Sequence, residues 1–166
     1  KGNYQKKNIQ TAAIALSKLN INRQVIQLGL KKVISNTGIQ GRWQILSKKP
    51  SIISDIAHNQ EGLDYVIPQI KTQNFRRLHL VLGFVKDKAV KKLLKKFPSS
   101  ALFYLAAPNI PRALPIKELE NFAIELNLNF EIFSSVSKAL NKAKSISEED
   151  DLIYIGGSTF VVAEIL

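Results

Sequence analysis

From Arg42 onward, short runs rich in Val, Leu, Ile and Phe alternate with segments of helical periodicity, and no other feature constrains the fold of this chain as strongly. Strands are expected at 43–46, 52–53, 78–82, 101–105, 130–133 and 152–155, with helices at 61–71, 87–97, 116–126, 136–146 and 158–166. Apolar runs without polar alternation belong to strands covered on both faces, and strand–helix–strand repeats imply right-handed crossovers. The expected fold is α/β: a mostly parallel, doubly wound (Rossmann-like) sheet with helices on both faces. Lys48-Lys49-Pro50-Ser51 is turn-like, so 43–46 and 52–53 should form a hairpin at one edge.

The first 38 residues follow a different pattern. Ile9, Ala12, Ala13, Leu16 and Leu19 recur at helical spacing over 3–19, and Ile26, Leu30 and Val33 make a second stripe that ends near Asn36-Thr37-Gly38. Residues 1–38 therefore read as a short helical segment and 39–166 as the main domain. A length of 166 residues suits one domain with a small appendage. No run of 18 apolar residues occurs and no secretory signal is visible, so no membrane association is expected. The absence of cysteine fits a cytoplasmic location and excludes thiolate metal sites, and two histidines are too few for a histidine-rich metal centre.

The net charge of +11 is unevenly placed. Residues 1–54 hold ten Lys or Arg and no acid, whereas the remainder holds fourteen basic and thirteen acidic residues. Such a segment can bind nucleic acid, line the site of a polyanionic substrate, or face an acidic partner surface. No arginine cluster or interleaved aromatic stripe accompanies it, which favours the last two over nucleic acid.

If the strands are parallel, the loops at 55–59, 83–87, 106–112, 134–135 and 156–158 converge on one sheet edge, where open α/β sheets place their ligands. Asp55 and His58 follow the second apolar run. They can serve a ligand through ribose, amine or phosphate contacts, or be a helix cap and a satisfied loop histidine. Gly156-Gly157-Ser158-Thr159 is either an anion-binding corner or a close-packed turn with Ser158 as N-cap, and it lacks the spacing of a P-loop. Arg42 can clamp a phosphate or stand as a solvated surface charge. Lys91, Lys92, Lys95 and Lys96 read as a solvated face, His79 as a packed structural histidine within a strand, and Trp43 as core or an interface anchor.

Several of these stretches occur in an order that resembles the C-terminal part of the folylpolyglutamate synthase/dihydrofolate synthase family, within the Mur ligase superfamily. Tyr4-Gln5-Lys6-Lys7-Asn8 before an alanine-containing helix is similar to the family's motif at the end of its central ATPase domain, and Gly41-Arg42 to the start of its last domain. Asp55-Ile56-Ala57-His58-Asn59 matches the Asp-x-Ala-His-Asn signature, the most specific element. Leu82-Gly83 with Asp87-Lys88, then 109–113 with Arg112, then Gly157-Ser158-Thr159-Phe160 with Glu164 continue the match.

The resemblance implies the last portion of an ATP-dependent ligase that adds glutamate to folate or dihydropteroate through an acyl phosphate, in folate biosynthesis and polyglutamylation. By the family's pattern Asn8 contacts adenine, Asp55 the nucleotide, Arg42 and His58 the phosphates and the catalytic interface, and Ser158 the incoming glutamate. ATP and magnesium are the parent enzyme's cofactors. The P-loop, the magnesium ligands and most of the folate pocket belong to portions absent from this chain, so no complete catalytic set, metal site or bound cofactor is expected here. The implied partner is the N-terminal and central ATPase portion of the same protein, which acts as a monomer. Gln60 stands where the family often has Pro, and Ala89 where an acid often follows Asp-Lys. The competing readings are a Mur-type ligase domain with another acceptor and a free-standing basic module for nucleotide or nucleic acid. In a chain severed from its ATPase portion, Asp55 and His58 are expected to be solvent-accessible and empty.

Overall fold

A computed structural model describes residues 2–86 and 89–166. Six strands form one sheet in the order β1-β2-β6-β3-β4-β5. They are β1 Gln44–Lys48, β2 Ser51–Ser54, β3 Leu78–Leu82, β4 Leu102–Ala106, β5 Asn129–Phe133 and β6 Leu152–Gly156. Only β1 runs antiparallel, paired with β2 across the turn at Lys49-Pro50, so the expected edge hairpin is present. The four remaining pairings are parallel. Every residue of β3 and β6 is buried, as their unbroken apolar runs require.

The helices divide between the two faces according to the direction of each crossover. α4 (Gln60–Lys71), α5 (Val90–Leu94) and α6 (Ile116–Glu125) join strands that advance from β2 toward β5, and their Leu63, Val66, Leu93, Leu94, Leu119 and Ala123 share one core with Ile53, Leu80, Phe103 and Tyr154. α7 (Val136–Ile146) returns from β5 to β6 and packs on the opposite face with α8 (Thr159–Ala163). There Ala139, Leu140 and Val161 meet Ile52, Val81, Tyr104 and Ile153. With right-handed crossovers a reversal of direction places its helix on the other face, and the doubly wound architecture follows. The expected helix at 87–97 is shorter, spanning only Val90–Leu94 in α-helical form, and Asp87 and Lys88 lie outside the described residues. The lysines of this segment do form a solvated face, where Lys91 pairs with Glu125 and Lys96 with Asp64.

The leading segment forms α1 (Gln5–Lys18), α2 (Arg23–Lys31) and α3 (Val33–Thr37), the second expected helix being interrupted at Lys32. Its apolar stripes are largely uncovered. Ile9, Leu19, Val25, Leu28 and Ile34 are exposed, Leu19 at 70%, and α1 has no buried residue. The helix expected over 3–19 is present, and of its apolar stripe Ala12, Ala13 and Leu16 are half-buried whereas Ile9 and Leu19 are exposed. Contact with the main domain is made at the first turn of α1. Asn3 N–H donates to Gln69 Oε1 (2.7 Å), and Lys7 Nζ donates to the Tyr65 hydroxyl (2.6 Å). Among the described residues no helix is long and apolar enough to cross a membrane.

Candidate functional site

The C-terminal ends of the five parallel strands bring the sequence-marked residues to one edge, but into two separate places. The first is a groove of about 600 Å³ between α1, α3 and β1. Its walls are apolar, with Ile9, Ile34, Ile39 and Ile45, and its polar groups include Asn8 on α1 and Arg42 just before β1. Asn8 Nδ2 donates to Gln5 Oε1 (3.1 Å), which fixes the plane of its amide. The Arg42 side chain is exposed, and Trp43, the only tryptophan, is buried beside it.

Arg42 owes its place to an unusual turn. Gly41 has φ +70° and Trp43 has φ +49°, so the arginine stands between two left-handed residues. A bulky side chain in that region costs about 1–3 kcal/mol unless its surroundings hold it. Here Gly41 N–H donates to Gln44 Oε1 (2.8 Å), Ile56 N–H donates to the Gly41 carbonyl (2.9 Å), and Trp43 N–H donates to Asp55 Oδ2 (2.7 Å). A Cβ on Gly41 would stand 2.7 Å from Ile56 Cγ2, so close approach as well as conformation selects glycine.

Asp55 is not solvent-accessible. Only 1% of it is exposed, contrary to the expectation for a severed ligand site. Its Oδ2 also accepts the Tyr4 hydroxyl (2.7 Å), and its Oδ1 accepts Ala57 N–H (2.9 Å). Burial raises its pKa above the ordinary carboxylate value, against the lowering effect of the bonds from Tyr4, Ala57 and Trp43 and of the Arg42 charge. The same burial, with the Asp55 bond and charge, raises the Tyr4 phenol well above its usual range. Both carboxylate oxygens are spent on the protein, because the chain folds Tyr4 and Trp43 back over the strand end.

The second place lies on the far side of Asp55. His58 is exposed and lines a hollow of about 230 Å³ with Phe84, Val90 and Gly157. Its Nδ1 lies 3.0 Å from the Ile56 carbonyl, an acceptor, so Nδ1 carries the proton and Nε2 faces outward. Asn59 caps α4 by accepting Gly62 N–H at 2.9 Å. Gly157 has φ +85°, and a Cβ there would stand 2.7 Å from the Gly83 carbonyl oxygen, so β3 and β6 meet backbone to backbone at their ends. Ser158 is 2% exposed and accepts Phe160 N–H at 3.2 Å. It is the N-cap of α8, as the more conservative of the two sequence expectations had it. The Arg112 guanidinium lies 4.7 Å from the centre of the Phe160 ring on the same rim.

The edge thus unites Asn8 with Arg42 and His58 with the glycine turn, and it places Asp55 between them as a buried strut. A family model described as Mur ligase, glutamate ligase domain, matches residues 41–159. The chain belongs to this family. Its matched span begins at the left-handed Gly41 and ends one residue beyond the N-cap Ser158, so the Mur ligase domain contains both the turn that carries Arg42 and the glycine turn.

Relatives and solved structures extend the likeness into the leading helices. The chain is 31% identical to the dihydrofolate synthase/folylpolyglutamate synthase of Buchnera aphidicola from Acyrthosiphon pisum, over 95% of this chain and 39% of that protein. It superposes on the Escherichia coli FolC in complex with ADP with a TM-score of 0.76 at 28% identity, covering 93% of this chain and 37% of that one. A bifunctional folylpolyglutamate synthase/dihydrofolate synthase with Mn, AMPPNP and L-glutamate bound gives 0.67 at 26% identity, over 76% and 30%. The chain spans less than two fifths of the length of each.

The sequence marked Tyr4 and Trp43 by motif and composition without giving either a function. The pairing of a Gly-Arg-Trp turn with an acid twelve residues later is the signal that could have found the strut, since a left-handed Trp needs an acceptor for its N–H. Among the described residues no three His, Asp or Glu gather to hold a metal ion.

Proposed function

We propose that this chain is the last portion of an ATP-dependent ligase that adds glutamate to folate or dihydropteroate. One observation carries the reading. Asn8, from the leading helix, and Arg42, from the start of the Mur ligase domain, face one apolar groove of a size that suits a nucleotide base. In that groove Asn8 pairs with the adenine edge and the Arg42 guanidinium meets the phosphates. The Escherichia coli protein holds ADP and another relative holds AMPPNP and L-glutamate, which supports a nucleotide and glutamate as the ligands of the parent protein.

In the proposed reaction a carboxylate oxygen of the acceptor attacks the terminal phosphorus of ATP, and ADP leaves. The amino nitrogen of glutamate then attacks the acyl carbon, phosphate departs from the tetrahedral intermediate, and an amide remains after loss of a proton. The chain contributes charge neutralisation at Arg42 and an outward imidazole Nε2 at His58, 230 Å³ of space beside Gly157, and a glycine turn held in shape by Ser158. The glutamate role expected of Ser158 is thus one of shaping the surface that glutamate meets. Asp55 serves the nucleotide from beneath. Magnesium and the phosphate loop come from the preceding ATPase portion, of which 1–38 is the final helical segment, and the uncovered apolar faces of α1–α3 are where that portion packs. We place the parent protein in the cytoplasm as a monomer, without nucleic-acid or membrane partners.

Phosphate release from ATP in the presence of dihydropteroate and glutamate tests the proposal. The full-length protein should turn over and the 166-residue chain alone should not. Turnover by the chain alone, or a full-length protein that requires another amino acid in place of glutamate, would overturn it.

A further inference from the structure

We propose that the Tyr154 hydroxyl is a specificity-determining donor at the floor of the hollow between His58 and Gly157, where it binds the side-chain carboxylate of the incoming glutamate. The inference rests on reading that hollow as the place of the amino acid, and it adds a residue that the sequence motifs leave out.

Tyr154 is fully buried in β6, yet its hydroxyl has no hydrogen-bond partner among the described residues. The oxygen is closed to solvent as well, so bulk water does not serve it. A phenol left in this state costs folding energy that a phenylalanine would not. Burial, with the Asp55 and Tyr4 side chains, holds the phenol well above its usual range, so at neutral pH it keeps its proton and can donate.

The position of the ring shows where the donor is aimed. Tyr154 is paired with Ile53 on β2 and Leu80 on β3, and Gly156 with Leu82. A Cβ at Gly156 would stand 2.6 Å from the Tyr154 hydroxyl oxygen and 2.7 Å from Cε1, so the ring leans along its own strand over the glycine, toward the C-terminal edge. The next residue, Gly157, lines the hollow, and neither glycine sets a side chain in between. Phe84, Val90 and Leu93 also line the hollow and share one core cluster with Tyr154, so the hydroxyl underlies its floor. Phe84 is the side chain placed to seal that floor: its ring edge lies 3.1 Å from the Gly157 Cβ site, and the residue is 2% exposed. A tilt of this ring uncovers the hydroxyl when a ligand enters.

The walls of the hollow are apolar, and its polar side chains are those of His58, Asn59 and Gln60. An amino acid that keeps its amine beside the outward Nε2 of His58 lays its methylene groups along those walls and brings its far end to the floor. There a phenol O–H satisfies a carboxylate and rejects an ammonium, which has no lone pair to accept it. The floor thus selects glutamate over a basic or purely apolar amino acid of similar length.

Tyr154→Phe in the full-length protein removes the oxygen alone. The glutamate KM should rise about tenfold or more, as for a lost hydrogen bond to a charged group, while the ATP KM stays within about twofold of the parent. Without glutamate the thermal midpoint of the variant should be no lower than the parent's, because no bond is lost. With fluorotyrosine incorporated, the fluorine resonance assigned to Tyr154 by its disappearance in the variant should shift when glutamate is added and stay in place with norvaline, which lacks the side-chain carboxylate. An unchanged glutamate KM, or an equal shift with norvaline, would overturn the inference. So would a midpoint lowered by several degrees, which would show that the hydroxyl already has a partner. A full-length protein that takes no glutamate would overturn the reading of the hollow together with this inference, whereas a glutamate-dependent protein in which Tyr154→Phe keeps the parent KM would overturn the inference alone.

Discussion

His79 and Asp151, 72 residues apart, are joined inside the protein at 3.2 Å, from imidazole Nε2 to Oδ2, with neither side chain exposed to solvent. The pair lies toward the N-terminal end of the sheet, opposite the candidate site. Asp151 precedes β6 and also accepts from Arg76 Nε (3.1 Å), from Arg76 Nη2 (3.2 Å) and from the Glu148 and Arg77 backbone N–H groups. On its other side the His79 ring lies 2.9 Å from the Tyr104 hydroxyl through Nδ1 and stacks on that ring. Burial, with the charges of Glu131 and Asp151, pushes the Tyr104 phenol up to about 12. Asp151→Asn should therefore cost about 3 kcal/mol, because it leaves Arg76 and His79 facing an amide in a site shaped for a carboxylate. His79→Phe should cost about 2 kcal/mol by stranding the buried Tyr104 hydroxyl, while Asp151 Oδ2 keeps its bonds from Arg76 Nη2 and the Glu148 N–H. Denaturant unfolding checks both, and losses below about 0.5 kcal/mol would show that the network relaxes.

Asp151 and Asp55 should make opposite contributions to the pH dependence of stability. Burial alone would raise the Asp151 pKa, but the bonds from Arg76, the Glu148 N–H and His79 outweigh it and hold the carboxyl far below its ordinary 3.8. A depressed folded pKa means that the unfolded chain takes up the proton first, so this stabilisation is complete above about pH 5, begins to fall at the unfolded value and is fully lost only below the folded one. The Asp55 pKa is raised, so the folded chain takes up that proton first. Its contribution is largest below the unfolded pKa and declines as the pH rises through the folded one. Thermal midpoints measured from pH 3 to pH 7 should show the gap between parent and Asp151→Asn narrowing toward acid, and the gap between parent and Asp55→Asn widening. Parallel curves for either variant would contradict the corresponding assignment.

Gly157→Ala tests the backbone contact that closes the glycine turn. With φ +85° and a Cβ site 2.7 Å from the Gly83 carbonyl oxygen, the variant must strain the turn and part β3 from β6 at their ends. A loss of about 2–4 kcal/mol is expected. Gly29→Ala is its control. That glycine lies within α2, with nothing within 4 Å of its Cβ site, and alanine there should stabilise by about 0.5–1 kcal/mol. A Gly157→Ala variant as stable as the parent would show that the turn accommodates the methyl group without parting the two strand ends.

The strands were legible where burial on both faces wrote itself as unbroken apolar runs, as in β3 at 78–82, and the edge hairpin where a Lys-Lys-Pro-Ser turn separated the largely exposed β1 from the buried β2. The first strand begins one residue later than its apolar pattern suggests, because Trp43 belongs to the left-handed turn. The stripe on α1 gave the helix but not its exposure, since periodicity reports that a face is apolar and not whether its cover is present. Among the site residues, His58 emerged exposed at the strand end as expected. The burial of Asp55 was not legible, because it depends on a phenol and a backbone N–H that sequence distance hides.

Arg42 offers the most direct test of the groove. Its side chain is exposed, but its charge faces the buried Asp55 carboxylate and the Tyr4 hydroxyl, so Arg42→Ala should lower the unfolding free energy by up to about 1 kcal/mol. A guanidinium that meets phosphate as a charged, forked donor is worth about 1.5–3 kcal/mol, so ATP affinity in the full-length protein should fall about tenfold or more. Arg42→Lys should recover only part of this, because an ammonium keeps the charge and loses the fork. Asn8→Ala should weaken ATP without altering the response to inorganic triphosphate, which lacks the base that Asn8 meets, while Arg42→Ala should weaken both. If Arg42→Ala weakened ATP and spared triphosphate, the guanidinium would be acting on the base, and the assignment of the two ends of the groove would have to be reversed.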